Sequence, residues 1–145
     1  MSGNKMDIVQ YIKEVNAELC KGTKESNEVT ELQMHKILFL IYGRFYSQYN
    51  IELWHPNFEA WQYGPVETNY RYHHNLEFAK PIDINQLNIG QKDQLKKMII
   101  KLLRFSVWGL VDYTHTLDSW KNHYEKKDNV ISVKEIQDEF TKISF

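Results

Sequence analysis

Residues 30–49, TELQMHKILFLIYGRFYSQY, decide how this chain folds. Thr30 stands three residues ahead of Gln33, which is the spacing of a capping box. The threonine hydroxyl accepts the Gln33 amide proton while the glutamine side chain reaches back to the Thr30 amide. The pattern predicts a helix from about Glu31 to Tyr49. Its middle, KILFLIYG, is apolar nearly all round instead of along one stripe, as in a helix wrapped by the rest of its domain. The other elements must be ones that pack around it.

On the N-terminal side, Ile8, Tyr11 or Ile12, Val15 and Leu19 recur at helical spacing within residues 7–19 and predict an amphipathic helix. Gly22 and the polar residues around it then make a surface loop. On the C-terminal side, Pro56, Gly64 and Pro65 prevent residues 50–67 from forming one helix. Phe58, Ala60 and Gln62 alternate with Glu59, Trp61 and Tyr63, which allows a short β-hairpin or extended segment around 57–63. Gly64 as N-cap, Pro65 at the first helical position and Glu67 at the third predict a helix to about His74, with Glu67 and Arg71 paired on its outer face. A second long helix is expected from about Lys92 to Ser106, with Leu95, Met98 or Ile99, Leu102 and Phe105 as its stripe. Gly109 interrupts the ring-rich stretch that follows. Ser132 and Glu135 read as another capping box, opening a C-terminal helix over about 133–142 that carries Val133, Ile136 and Phe140. The expected fold is mainly α: a single compact helical domain spanning 1–145, with about five to six helices and that one short β-element.

The totals agree with such a domain. The chain has 145 residues, 42% of them apolar and 26% charged, which suffices for a real core without disulfides or metal. A net charge of −1 supplies no global field toward nucleic acid or anionic lipid. One cysteine, Cys20, rules out an internal disulfide and fits a reducing, cytoplasmic setting. The N-terminus shows no apolar signal region, and the longest apolar run, Ile37 to Tyr42, is too short to cross a bilayer. What stands out is ring content: four Trp, nine Tyr and seven Phe. Tyr and Trp build cores, and they also dominate binding hot spots.

Catalytic templates fail. His73 and His74 are adjacent, so on a helix they point about 100° apart and cannot chelate one ion from one face. His55, His115 and His123 are free to converge in space, but no metal-ligand spacing occurs, and no metal or cofactor is expected. Cys20 falls at a helix C-terminal end, where the dipole opposes a thiolate. Nucleophile-elbow, phosphate-loop and dinucleotide patterns are missing. Lys92, Lys96, Lys97, Lys101 and Arg104 share one helix, but a helix-turn-helix pair is not evident, which disfavours nucleic acid as a partner. Aromatics with basic neighbours, such as Tyr70-Arg71-Tyr72, are suited to stacking on a single strand.

Three local patterns occur in a recognisable order: LQMHKILFLIYGRFY (32–46), FEAWQYGPVETNY (58–70) and LVDYTHTLDSW (110–120). Together they resemble the Panacea domain, also called the SocA-like antitoxin domain, a family that includes phage-associated proteins. The likeness spans about residues 6–125. The family's motif positions fall on Lys36, Tyr42, Trp61, Gly64, Pro65, Val66, Thr114, His115 and Trp120. Where the family often has Pro before the last Trp, this chain has Ser119. The resemblance implies a non-enzymatic cytoplasmic protein of a bacterium or its phage. It would act as the antitoxin of a toxin–antitoxin system, neutralising a cognate protein toxin by direct binding. An adaptor that hands a bound protein to a protease is the alternative, and a metal-dependent hydrolase using the histidines comes last.

For the opening between Trp61 and Glu67, a rigid Gly-Pro step fixes the chain beside a Trp. That ring is expected to anchor the core, with a partner pocket as the rival role. His115 is expected to cap the second long helix or to hydrogen-bond the turn. Partner contacts are expected at Tyr63, Tyr70, Arg71, Tyr72 and His73, where tyrosine offers broad apolar area with a polar tip.

Overall fold

The structure is a computed structural model describing residues 5–22 and 28–143. Its centre is α2 (Glu31–Tyr49), preceded by α1 (Ile8–Leu19). The Thr30–Gln33 box forms as the sequence predicts: Thr30 Oγ1 accepts from the Gln33 amide at 3.1 Å and Gln33 Oε1 from the Thr30 amide at 3.3 Å. Asn50 closes the helix in the left-handed region, φ 56°. Every residue from Met34 to Gly43 is buried, so α2 is the wrapped helix that its all-round apolar middle predicts.

A hairpin follows, β1 (Phe58–Trp61) and β2 (Gly64–Glu67), joined by Gln62 and Tyr63 with Trp61 opposite Gly64. A third, two-residue strand, β3 (Val130–Ile131), pairs with the other side of β1, giving the antiparallel order β2-β1-β3. The alternation of residues 58–61 is therefore that of a strand: Phe58 and Ala60 are buried, and Glu59 and Trp61 half-buried. The Gly-Pro step is not a helix start. Gly64, the residue just past the two-residue turn, adopts φ +105°, a left-handed value that favours glycine, and Pro65 lies in an edge strand where its missing N–H costs no ladder bond. The helix α3 (Thr68–His73) begins three residues later, capped by Glu67.

Further on come two single 3₁₀ turns (Glu77–Ala79 and Ile84–Gln86), α4 (Ile89–Leu103), α5 (Val107–His115), α6 (Asp118–Lys121) and α7 (Val133–Lys142). The described residues thus hold seven α-helices, more than the five to six expected, because the ring-rich stretch after α4 divides at Ser106 and again before Asp118. Helix α4 starts earlier than predicted: Asn88 and Gln91 form an unforeseen capping box. It also ends earlier, which leaves Phe105 half exposed outside the stripe of Leu95, Ile99 and Leu102. At Ser132 only half of the predicted box forms. Ser132 Oγ caps the Glu135 amide, but the Glu135 carboxylate turns to His123 Nε2, 2.8 Å away.

Helices α4, α5 and α7 and strand β2 surround α2, and α1 packs on α4. Aromatic rings fill the centre: Phe58 meets Phe39, Tyr42 and Trp54 edge-on, with centroids 5.0 to 5.9 Å apart. On the α7 side, Phe140 crosses α2 at Gly43, where a Cβ would lie 2.3 Å from its ring. Arg44 donates to the Phe140 and Ile143 carbonyls, closing the end of α7. No helix among the described residues is long and apolar enough to cross a membrane.

Candidate functional site

The hairpin turn is held by side chains from three distant helices, each donating to a turn carbonyl. Trp120 Nε1 on α6 donates to the Trp61 carbonyl at 2.8 Å. His115 Nε2 at the end of α5 pairs with the Gln62 carbonyl at 2.9 Å, so that nitrogen carries the proton. Lys36 Nζ on α2 donates to the Pro65 carbonyl at 2.9 Å. Thr114 completes the seat: a Cβ on Gly64 would lie 2.6 Å from Thr114 Oγ1 and 3.0 Å from Lys36 Cε. Gly64 is thus required twice, by its positive φ and by this close approach. His115 stacks on Trp120 at 4.2 Å, and Trp120 on Tyr124 at 4.6 Å, so the two ring donors brace each other.

Beneath the turn lies a second polar layer. Glu67 is fully buried, and its carboxylate accepts from Trp54 Nε1 at 2.5 Å, from the Asn69, Tyr70 and Asn57 amides and from Asn69 Nδ2. Burial pushes its pKa up, and these donors offset only part of that rise. The Glu67 amide donates to His35 Nδ1 at 3.1 Å, which leaves His35 Nε2 to donate to Glu31 at 3.3 Å. Burial and the neighbouring Lys36 charge hold the His35 pKa down to about 4, so the ring is neutral and this tautomer is fixed. Burial alone brings Lys36 down to about 7. Its role here is that of a hydrogen-bond donor, which the neutral amine fills as well as the ammonium.

Eight of the nine motif positions meet here. Lys36, Trp61, Gly64, Pro65, Val66, Thr114, His115 and Trp120 all touch or form the turn, and His115 takes the turn-bonding role of its two expected ones. Tyr42 lies apart, among Trp54 and Phe58, donating to Glu52 at 2.8 Å. Trp61 is half-buried, its Nε1 on Glu59 at 2.9 Å, so it is less of a core anchor than predicted. Ser119, at the position where the family often has Pro, uses the N–H that proline lacks: Glu139 of α7 accepts from the Asp118 and Ser119 amides at 2.5 and 3.0 Å. That carboxylate caps α6, whose N-cap Leu117 has no capping side chain, and so steadies Trp120.

The expected contact residues separate. Tyr63 is 48% exposed and meets Trp108, itself 58% exposed, edge-to-face at 5.6 Å. Arg71 lines the groove of about 330 Å³ between the turn and α2, and it pairs with Glu31 at 3.4 Å instead of the buried Glu67. Tyr70 is not on the surface. It is 6% exposed because its helix turns that face inward, setting its ring edge-on to His35. Tyr72 and His73 are exposed but do not line the groove, and His73 meets Phe78 at 5.5 Å. Trp108, Glu31 and Trp54 were missed by the sequence reading. For Trp108 the one available signal was a large ring two residues past a Ser that caps the next helix.

Among the described residues no group of three or more His, Cys, Asp and Glu side chains is placed to hold a metal ion. The chain is a mainly α-helical domain whose motif residues clamp a hairpin turn. A family model described as "Antitoxin SocA-like, Panacea domain" matches residues 34–121, and the chain belongs to that family. Membership carries an antitoxin role in general and, with it, a protein partner such as a toxin. No curated protein and no solved structure matches the chain.

Proposed function

We propose that this protein neutralises a cognate toxin by direct, non-enzymatic binding in the cytoplasm of a bacterium or of a phage-infected cell, and that the clamped turn presents the contact surface. The observation that carries the reading is the exposed ring pair of Tyr63, on a turn fixed by Trp120, His115 and Lys36, and Trp108 of α5. Rings held rigid before binding lose little entropy on docking, which is where aromatic hot spots gain their affinity. Arg71 and the half-buried Trp61 share the groove with Tyr63.

The test is co-expression with the product of the adjacent gene. That product should arrest growth alone, and this protein should restore growth and co-purify with it. The Tyr63→Ala/Trp108→Ala variant should remain folded and fail to rescue. A neighbour that is harmless alone, or full rescue by the double variant, would sink the proposal. A partner whose half-life shortens in the presence of this protein would turn the reading from occlusion to delivery to a protease.

A further inference from the structure

The corner between α4 and α5 carries a second surface, apart from the clamped turn. The chain leaves α4 and re-enters a helix at Ser106, and Phe105 stands at the bend, 50% exposed. Its ring lines a groove of about 890 Å³ that also holds Arg104 and the Glu28 carboxylate, and it lines two further grooves. One, of about 480 Å³, is lined by Ile100 with Lys97, Lys101 and Arg104. The other, of about 280 Å³, is lined largely by apolar side chains, Leu40, Leu102, Leu110 and Tyr113 among them. Neither lining includes a carboxylate. Lys97 pairs with Asp93 one turn back at 3.1 Å, on an exposed face where such a pair is weak, and Arg104 forms no ion pair among the described residues. Asp112, the nearest acid in sequence on α5, lines neither groove. A chain of net charge −1 has thus gathered three cations on one flank of an apolar trough.

We propose that this corner docks an acidic amphipathic segment of a protein partner. Its apolar side chains would lie in the trough between Phe105 and Tyr113, and its carboxylates would face Arg104 and Lys97. Charge complementarity selects this occupant. A basic segment would meet like charge across the rim, and a purely polar one would leave the trough wet. Nucleic acid matches the cations but has nothing apolar to fill the second groove. The geometry suits a helix laid in a groove with its apolar residues at three- and four-residue spacing.

The probe is a phage-displayed library of random peptides of about a dozen residues, roughly three helical turns. It is selected on the intact protein, and the winners are measured by fluorescence anisotropy. Selected peptides should combine Asp or Glu with Leu, Phe or Trp and bind more weakly as salt is raised. The Lys97→Glu/Arg104→Glu variant should lose roughly tenfold or more in affinity, and Phe105→Ala should lose a similar amount. All three positions are exposed, so these variants keep the fold, which circular dichroism checks. The Tyr63→Ala/Trp108→Ala variant should bind the peptides as the parent does, which keeps this inference separate from the toxin-binding one. No enrichment, winners without carboxylates, or affinities indifferent to the charge reversal would overturn the proposal. So would self-association that the peptides compete away, since a second copy would then be the occupant. Binding to anionic vesicles in place of peptide would overturn it too.

Discussion

The hairpin turn has two faces of opposite chemistry. On the inner face every polar group has a fixed partner: Lys36 on Pro65, His35 under Glu67, and Glu67 among donors from Trp54, Asn57, Asn69 and Tyr70. On the outer face Tyr63 and Trp108 touch each other and stand half in solvent. The inner face sets where the turn is, and the outer face sets what the turn presents. Residue type does not reveal which face a residue joins, since Tyr70 and Tyr63, seven positions apart, take opposite sides. The comparison breaks if a variant of one face produces the loss expected of the other.

The largest effect belongs to Glu67→Ala. It removes the acceptor of several buried donors at once, including an indole N–H, and should cost about 3 to 5 kcal/mol of folding stability in a urea titration. Glu67→Gln keeps an acceptor oxygen and should cost less. If the alanine variant melts like the parent, the second polar layer is not what holds β2 to α3.

Gly64→Ala comes next. The substitution meets both the positive φ and the Thr114 hydroxyl, and should cost about 2 to 3 kcal/mol, a typical charge for backbone strain joined to a close contact. The double variant Gly64→Ala/Thr114→Ser, which removes a methyl but leaves the hydroxyl, should recover little. Full recovery would assign the cost to the threonine methyl instead of to the backbone.

On the outer face, Tyr63→Ala should leave stability within about 0.5 kcal/mol and weaken partner binding by about 2 kcal/mol, measured by calorimetry on the purified complex. Tyr70→Ala belongs with the inner face and should lower the melting temperature first. Equal loss of stability in both variants would erase the distinction between the faces.

Much of this was legible in the chain because the signals were local. Thr30 and Gln33 fix the start of α2, and the all-round apolar middle fixes its depth. The alternation at 58–61 gives a strand, and His115 takes one of the two roles its place in the sequence allows, bonding the turn. The Gly64-Pro65 step was misread because glycine followed by proline suits a helix start as well as an edge strand. What decides between them is pairing with residues 58–61 and the reach of Lys36, and neither is local. The same holds for Glu139, which caps a helix twenty residues away, and for Trp54, whose indole finds Glu67 only once the hairpin has formed. Phe105 reads as a stripe residue, and only the end of α4 ahead of Ser106 turns it out.

The smallest effect concerns proton linkage at Lys36. The group is fully buried, and its folded-state pKa lies near 7, well below the ordinary value of about 10.4 in an unfolded chain. Below pH 7 both states hold the proton, and the penalty of burying the charge is present in full. Between about pH 7 and 10 the unfolded chain binds the proton that the folded one has released, so stability rises with pH, by up to ~1.4 kcal/mol per pH unit. Other groups contribute their own pH dependence. His123, whose partners Glu135 and the Asp128 carbonyl raise its pKa, contributes stability that is lost as pH rises through that folded value. The comparison is therefore a difference between the parent and Lys36→Met at pH 7.5 and 8.5, in which the shared groups cancel. The parent should gain about 1 kcal/mol relative to the variant across that interval. A parallel response would mean that Lys36 keeps its proton inside the fold, so that the inner face is held by a charge. A gain confined to the parent would mean that it is held by a neutral donor, which fixes the Pro65 carbonyl through the whole interval without a counter-ion.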